Sequence, residues 1–380
     1  MAFLFLPGPF AAPEVRTALG SGAEAADPAV AHGHAVQGDI AGGRLGLVPG
    51  PGRAAPGVLI GSGGAAADTA RRLLVAMGGS EMRLEAHRPD GSSVLAQAVV
   101  APATPDLPPA DARIEGSEQH ALLREIILEF LGQPPQDEPS AAARLVAAIA
   151  MRAAARVRGA ARSAPCVLGS PFGPEDVDPG TVAWPYGAFF AVESHRLRHR
   201  RYDGGMTGPV ERAVFTSGDA VTVVPFDPAR GTVLLVEQFR AGPAARRDPR
   251  PWSIEAVAGR CDGLETPEAT ARREAVEEAG LTLGRLVRAA AYYPSPGIAS
   301  EFITSFVGEA DLGAAGGLHG LAEEDEDIRA LVVPLEDALD AAESGEIANA
   351  PLLVTLHWLA RHRDRLVAAW TDTTVTADAG

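Results

Sequence analysis

Over the first hundred positions the apolar residues fall in short runs, FLFL, GRLGLV, GVLI and SVLAQAVVA, each bounded by glycine or proline. Runs of that length between turn residues predict short strands of a small α/β, barrel-like domain. One helix interrupts them. Ala66 to Met77 carries apolar positions at helical spacing, and the two glycines that follow stop it. A proline-rich stretch at 101–112 marks a boundary, and Gln119 to Leu131 and Ala141 to Val157 then read as two helices rich in alanine and leucine. Arg158 to Trp184, rich in Pro, Gly, Ser and Asp, predicts a loop or linker.

From Tyr186 the pattern changes. AVFTSGDAVTVVPFD and GTVLLVEQFR show strand-like apolar alternation, separated by turns such as DPARG. A helix follows at Pro267 to Glu278, strand candidates at Val287 to Tyr293 and Phe302 to Val307, and helices at Leu335 to Ala342 and Leu352 to Trp370. An α/β/α sandwich with a mixed sheet accommodates this order. The expected division is a first domain over 1–105, a helical spacer and linker over 106–184, a second domain over 185–370 and a tail over 371–380.

Charge narrows the chemistry. The chain has 380 residues, 33 basic and 49 acidic, for a formal charge of -16. Most of the acidic excess lies beyond residue 190, which disfavours nonspecific binding to duplex nucleic acid. Every basic residue is arginine, so a Walker lysine and a Schiff-base lysine are excluded. Cys166 and Cys261 are too few for a disulfide framework or a thiolate metal site, which fits a reducing, cytoplasmic setting. The apolar start MAFLFLPGPF lacks a basic leader, and no run reaches the ~18 apolar residues of a membrane span, so neither export nor membrane insertion is expected.

The segment AGRCDGLETPEATARREAVEEAGL, residues 258–281, begins as a glycine loop and ends as a carboxylate helix. Thr266 suits the N-cap, Pro267 the first helical position and Gly280 the C-cap. Glu274 and Glu278 then share a face, with Glu277 alongside and Arg273 placed four before it for a supporting ion pair. Crowded carboxylates repel unless cations compensate them, and oxygen donors favour Mg²⁺ or Mn²⁺. In isolation the same helix also reads as an exposed acidic face with intrahelical pairs.

Gly259, Glu265, Arg273-Glu274-Ala275, Glu277-Glu278 and Gly280-Leu281 together resemble the Nudix hydrolase signature at every defining position. That resemblance implies a loop-helix-loop on an α/β/α sandwich that binds Mg²⁺ and hydrolyses a nucleoside diphosphate linked to another group. Pro296, sixteen residues after Gly280 within YYPSPG, and HGLAEEDEDIR from His319 to Arg329 are similar to the ADP-ribose pyrophosphatases of the tellurite-resistance type, as is AESGEIANAPLLVTLHWL near the end. By resemblance the Ala258 carbonyl, Glu274 and Glu278 are the core metal ligands, and Glu277, also a catalytic residue, joins through a shared ion or water. Glu324, supported by Glu326, orients or deprotonates the attacking water, Arg212 and Arg240 grip the phosphates, and Pro296 lines the substrate site. The implied partners are a small nucleoside diphosphate and a second copy of the chain. Phe189, Phe190 or Tyr202 are candidates to pack on adenine, with strand-core packing the simpler reading. A broader nucleoside-diphosphate-sugar or dinucleotide hydrolase, or a non-catalytic nucleotide-binding regulator, are the alternatives.

The first domain resembles the gamma-glutamylcyclotransferase-like fold through Pro7-Gly8-Pro9-Phe10 and Ala76-Met77-Gly78. A methionine stands where that fold carries its catalytic acid, with Glu81 four residues on, which implies an inactive domain retained for stability, dimerisation or regulation. His32, His34, His195 and His199 read as strand or turn histidines, and Arg361 to Arg365 as the solvated face of a terminal helix.

Overall fold

The computed structural model describes residues 2–20, 26–102, 116–136, 138–320 and 326–371. They form two compact units, Met1–Gly218 with Asp262–Leu264, and Asp219–Cys261 with Glu265–Gly380.

In the first unit a closed barrel is built from β1 (Phe3–Pro7), β2 (Asp27–Asp39), β3 (Arg44–Gly61), β4 (Ser80–His87) and β5 (Ser93–Val100), in the order β1-β3-β2-β4-β5 with β3 also pairing β5. The expected strands GRLGLV and GVLI are one continuous β3. Its Pro49, Pro51 and Pro56 are exposed, and its partner β2 shifts register between His32 and His34. Proline is tolerated where its missing N–H interrupts no buried ladder. The barrel core merges with α1 (Pro13–Ala18), α2 (Ala65–Ala76), α3 (Ser117–Gly132) and α4 (Pro139–Ala161); Val15 of α1, Leu122, Leu123, Ile126 and Ile127 of α3, and Val146 and Ile149 of α4 are all fully buried.

The expected linker holds structure instead. α4 runs on to Ala161, and β6 (Val177–Gly187), β7 (Ala191–His199) and β8 (Val210–Thr216) form an antiparallel three-stranded sheet. The β6 sequence VDPGTVAWPYG pairs with β7 through two register shifts, between Asp178 and Thr181 and between Ala183 and Tyr186. Bulges admit Pro179, Gly180 and Pro185, which is why composition misread this strand as a linker. The strand-core reading also fails for Phe189 and Tyr202, which are 57% and 87% exposed; Tyr202 stacks on Phe172.

The second unit is a mixed sheet. Its strands are β9 (Ala220–Asp227), β10 (Thr232–Phe239), β11 (Trp252–Glu255), β12 (Val257–Arg260), β13 (Leu286–Tyr292), β14 (Ile303–Glu309), β15 (Gly317–His319) and β16 (Ile328–Pro334). The main path runs β13-β14-β9-β10-β16-β15, with β11 on β10 and β12 on β9; only β14 and β9 are parallel. A short helix, α5 (Ala241–Arg246), follows β10, and helix α6 (Pro267–Ala279) covers one face of the sheet through Val221, Val223, Leu234, Val236 and Phe306. The other face packs Val224, Phe226, Val233, Leu235 and Val307 on α7 (Leu335–Ser344) and α8 (Ala350–Thr371). Burial on both faces explains why VTVVPF and VLLV read as continuous apolar runs. Among the described residues no helix is long and apolar enough to cross a membrane.

Candidate active site

Helix α6 begins and ends where its local sequence dictates. Thr266 Oγ1 accepts from the Ala269 N–H at 3.3 Å, Pro267 opens the helix, and Gly280 closes it at φ 63°. There the Gly280 and Leu281 amides donate to the Val276 and Ala275 carbonyls at 3.0 and 2.9 Å. These bonds satisfy both ends of the helix. Ala271, Ala275 and Ala279 face the core, and their small side chains bring the helix close to β12 and β9. Glu274 and Glu278 are buried with them, at 9% and 3% exposure.

A buried carboxylate needs a donor. Glu278 Oε2 accepts the Ala258 N–H at 2.9 Å, which ties the end of α6 to β12. Glu274 lies across Gly259: a Cβ there would stand 1.8 Å from its Oε1, so the signature glycine is where the carboxylate occupies the side-chain position. Arg273 gathers the remaining acids. Its Nη1 donates to Glu274 at 2.7 Å and to Glu277 at 2.9 Å, and its Nη2 to the Arg260 carbonyl at 3.1 Å and Glu265 at 3.3 Å. Thr270 Oγ1 donates to the same Glu265 oxygen at 2.9 Å. Glu265 therefore holds Arg273, a role the spacing of the motif did not reveal.

Burial pushes the Glu278 carboxyl up to about 8; the neighbouring Glu274 and Glu326 carboxylates push the same way, while the Ala258 amide and Arg240 oppose them. Arg240 donates to Glu255 Oε2 from Nε at 3.2 Å and Nη2 at 2.8 Å. Burial works against its charge, but Glu255, Glu278 and Glu326 outweigh that and hold its pKa above the ordinary value. Glu255 is the second residue that sequence reading missed. It sits in the four-residue β11, whose sequence WSIE carries no motif.

Glu274, Glu277, Glu278, Arg240 and Glu326 thus share one electrostatic neighbourhood in the second unit. Among the described residues no three His, Cys, Asp or Glu side chains already converge as a metal-ligand group. Glu274 is turned to Arg273 and Glu278 to an amide. Glu324 lies outside the described residues. Pro296 is exposed in the turn between β13 and β14. Arg212 lies on β8 of the first unit, exposed, its Nη1 donating to the Glu211 carbonyl at 2.7 Å.

The family model described as NUDIX domain matches residues 216–356. The ADP-ribose pyrophosphatase of Escherichia coli (strain K12) is 42% identical over 199 residues, covering 52% of this chain and 95% of that protein. The chain belongs to the NUDIX family. A second ADP-ribose pyrophosphatase, from Haemophilus influenzae, is 37% identical over 187 residues, 49% of this chain and 86% of its own. The GDP-mannose pyrophosphatase of Enterobacter sp. (strain 638) is 34% identical over 152 residues, 39% of this chain and 77% of its own. The NUDIX motif on α6 falls inside the matched region, and family membership supports hydrolase chemistry on a nucleoside diphosphate.

Proposed function

We propose that the protein hydrolyses the diphosphate of ADP-ribose to AMP and ribose 5-phosphate, with Mg²⁺ as its cation and Mn²⁺ as a substitute. The observation that carries this reading is the pair of buried acids on α6, Glu278 held by the Ala258 amide and Glu274 lying across Gly259. Two acids buried side by side resist ionising together, and a cation bound between them supplies the positive charge that lets both do so. The available donors are all oxygens, which fits a hard divalent cation.

The Ala258 carbonyl, Glu274, Glu277 and Glu278 would hold the metal. When bound it supplies charge neutralisation to the diphosphate and to the oxygen that leaves. Arg273 fixes the rotamers of Glu274 and Glu277, and Arg240, kept cationic among acids, presents a guanidinium fork to phosphate oxygens. Glu324, supported by Glu326, would hold the attacking water and accept its proton. The water oxygen bonds to one phosphorus, the bond from that phosphorus to the bridging oxygen breaks, and the other phosphate departs. Arg212 and Pro296 complete the proposed substrate contacts.

The GDP-mannose pyrophosphatases among the relatives favour a second reading, a hydrolase of nucleoside diphosphate sugars more broadly. Product analysis with ADP-ribose, GDP-mannose, ADP-glucose, NADH and diadenosine substrates separates the two. ADP-ribose turned over fastest, with Mg²⁺ required, supports the first; hydrolysis of none points to a binding protein.

We further infer a cytoplasmic homodimer. The exposed Tyr186, Phe189 and Phe215 of the β6-β7-β8 region support the pairing, and light scattering tests it. For the barrel the cyclotransferase-like reading is one of scaffold without that activity: Met77 is core at 4% exposure, and Glu81 sits outside, 3.7 Å from Arg71.

A further inference from the structure

The loop between β12 and α6 leaves the second unit and returns to it. Cys261 and Glu265 belong to the second unit, whereas Asp262, Gly263 and Leu264, between them in the chain, belong to the first. The triplet lies inside the signature segment, just ahead of the carboxylate helix. Leu264 is half-buried and packs on the hydrophobic core of the first unit. Gly263 is buried, and its carbonyl accepts a hydrogen bond from Arg158 Nη1, near the end of α4. A charged donor makes that bond a strong one.

Glycine is required at 263 on two counts. Its φ of 51° lies in the left-handed region, and a Cβ there would stand 2.4 Å from the Ala41 Cβ. The turn that carries Ala41 is itself packed on α4, since a Cβ on Gly43 would stand 3.1 Å from the Ala147 Cα and N. The triplet therefore rests on fixed backbone rather than on pliable side chains.

Both flanks of the seated triplet meet on one nitrogen. Arg273 Nη2 donates to the Arg260 carbonyl, before the triplet, at 3.1 Å and to Glu265 Oε2, after it, at 3.3 Å. Through Nη1 the same guanidinium holds Glu274 and Glu277. Each of these contacts lies within one unit, and the peptide bonds at Cys261–Asp262 and Leu264–Glu265 join the two sets. Where the triplet sits thus sets how far apart Arg260 and Glu265 stand, and with them the place of Arg273.

We propose that the first unit positions the metal-binding acids: Arg158, Gly263 and Leu264 seat the signature loop, and the seated loop holds Arg273 against Glu274 and Glu277. The inference rests on the metal-site reading of α6 given above. Arg158, Gly263 and Leu264 are positioning residues that act through Arg273, and they give the barrel and its helices a task in the reaction without an activity of their own. Losing a partner one step behind the ligands typically weakens metal binding by ~10–100-fold.

The test is Mn²⁺ binding to the full chain, read from loss of the free-ion EPR signal, beside the Mg²⁺ dependence of ADP-ribose turnover and the melting temperature. Arg158→Met and Gly263→Ala are each expected to raise the Mn²⁺ dissociation constant about tenfold. The Mg²⁺ concentration for half-maximal turnover should rise in parallel, with KM for ADP-ribose at saturating Mg²⁺ staying within about twofold of the parent. Arg158→Lys keeps a donor for the Gly263 carbonyl and should recover most of the loss. Ile60→Val trims the same core at the pairing of β3 with β1, and should lower the melting temperature while leaving Mn²⁺ affinity at the parental value. Parental Mn²⁺ affinity in Arg158→Met or in Gly263→Ala overturns the proposal, as does equal loss of affinity in Ile60→Val, because any weakening of the first unit would then suffice. A parent chain that binds no Mn²⁺ overturns the metal site on α6 as well, a result distinct from either.

Discussion

Each unit of the molecule buries charged residues, and the two do so in opposite ways. Around Arg152 in the first unit every acid has a base. Glu129 takes Arg152 on one oxygen and Arg156 on the other at 2.6 Å, and Arg156 reaches Glu125 and Glu193 at 3.2 Å, with His195 2.8 Å from Glu193. On α6 in the second unit Glu278 has one amide, the more distant charge of Arg240 and like-charged neighbours, and its carboxyl is still pushed up to about 8. A closed network is a structural joint, whereas a cluster left short of positive charge is built for a ligand that brings it.

Removing an acid should therefore act differently in the two places. Glu278→Gln keeps the shape and an acceptor for the Ala258 amide, so the metal-free protein should melt no lower than its parent at pH 8. Turnover of ADP-ribose should fall by on the order of 10³-fold. An active Glu278→Gln variant with normal Mg²⁺ dependence would sink the assignment.

Arg152→Met tests the closed network. It strands Glu129, fully buried, with only Arg156, and should lower stability by roughly 3–5 kcal/mol in urea unfolding. Adding Glu129→Leu removes the stranded charge, and the double variant should recover part of that loss. Equal loss from single and double variants would mean that packing rather than charge holds the joint.

Asp227 shows that compensation, and not the choice of unit, makes the difference. It belongs to the same unit as α6 and is 2% exposed. Burial would raise its pKa, but the Leu312 amide, the Arg230 guanidinium and the Arg230 and Ala229 amides bring it below the ordinary aspartate value. A carboxyl whose folded pKa is depressed contributes stability that is complete above its unfolded pKa and is lost as pH falls through the folded one. Urea midpoints of the parent should thus drop below about pH 4, and Asp227→Asn, costing roughly 2 kcal/mol at pH 7, should drop less steeply.

What the sequence made legible was local. The caps of α6, the face shared by Glu274 and Glu278 and the two-sided burial of β9 and β10 all follow from neighbours a few residues apart. The Arg152–Glu129 bond joins two helices across 23 positions, and no periodicity announces it. Glu255 and Arg240 meet across 15 positions at a strand pairing, for the same reason. Strand β6 was hidden because its prolines and glycine sit at bulges, so local propensity pointed away from the sheet that tertiary pairing enforces.

The smallest expected effect probes that local layer directly. Thr266→Ala removes the acceptor of the Ala269 amide, at 3.3 Å a long bond, while leaving Pro267 and the Gly280 closure in place. The loss should be about 1 kcal/mol. Because Glu274 and Glu278 lie in the second half of α6, with Glu278 fastened to Ala258, fraying of the first turn should leave turnover within about twofold of the parent, as a change seen in the melting temperature but not in kcat. Glu265 makes this test discriminating. It precedes the cap and reaches both Thr270 and Arg273, so a fall in kcat with Thr266→Ala would show that the cap positions Arg273 through Glu265, and that the acids of α6 depend on the start of their helix as much as on its end.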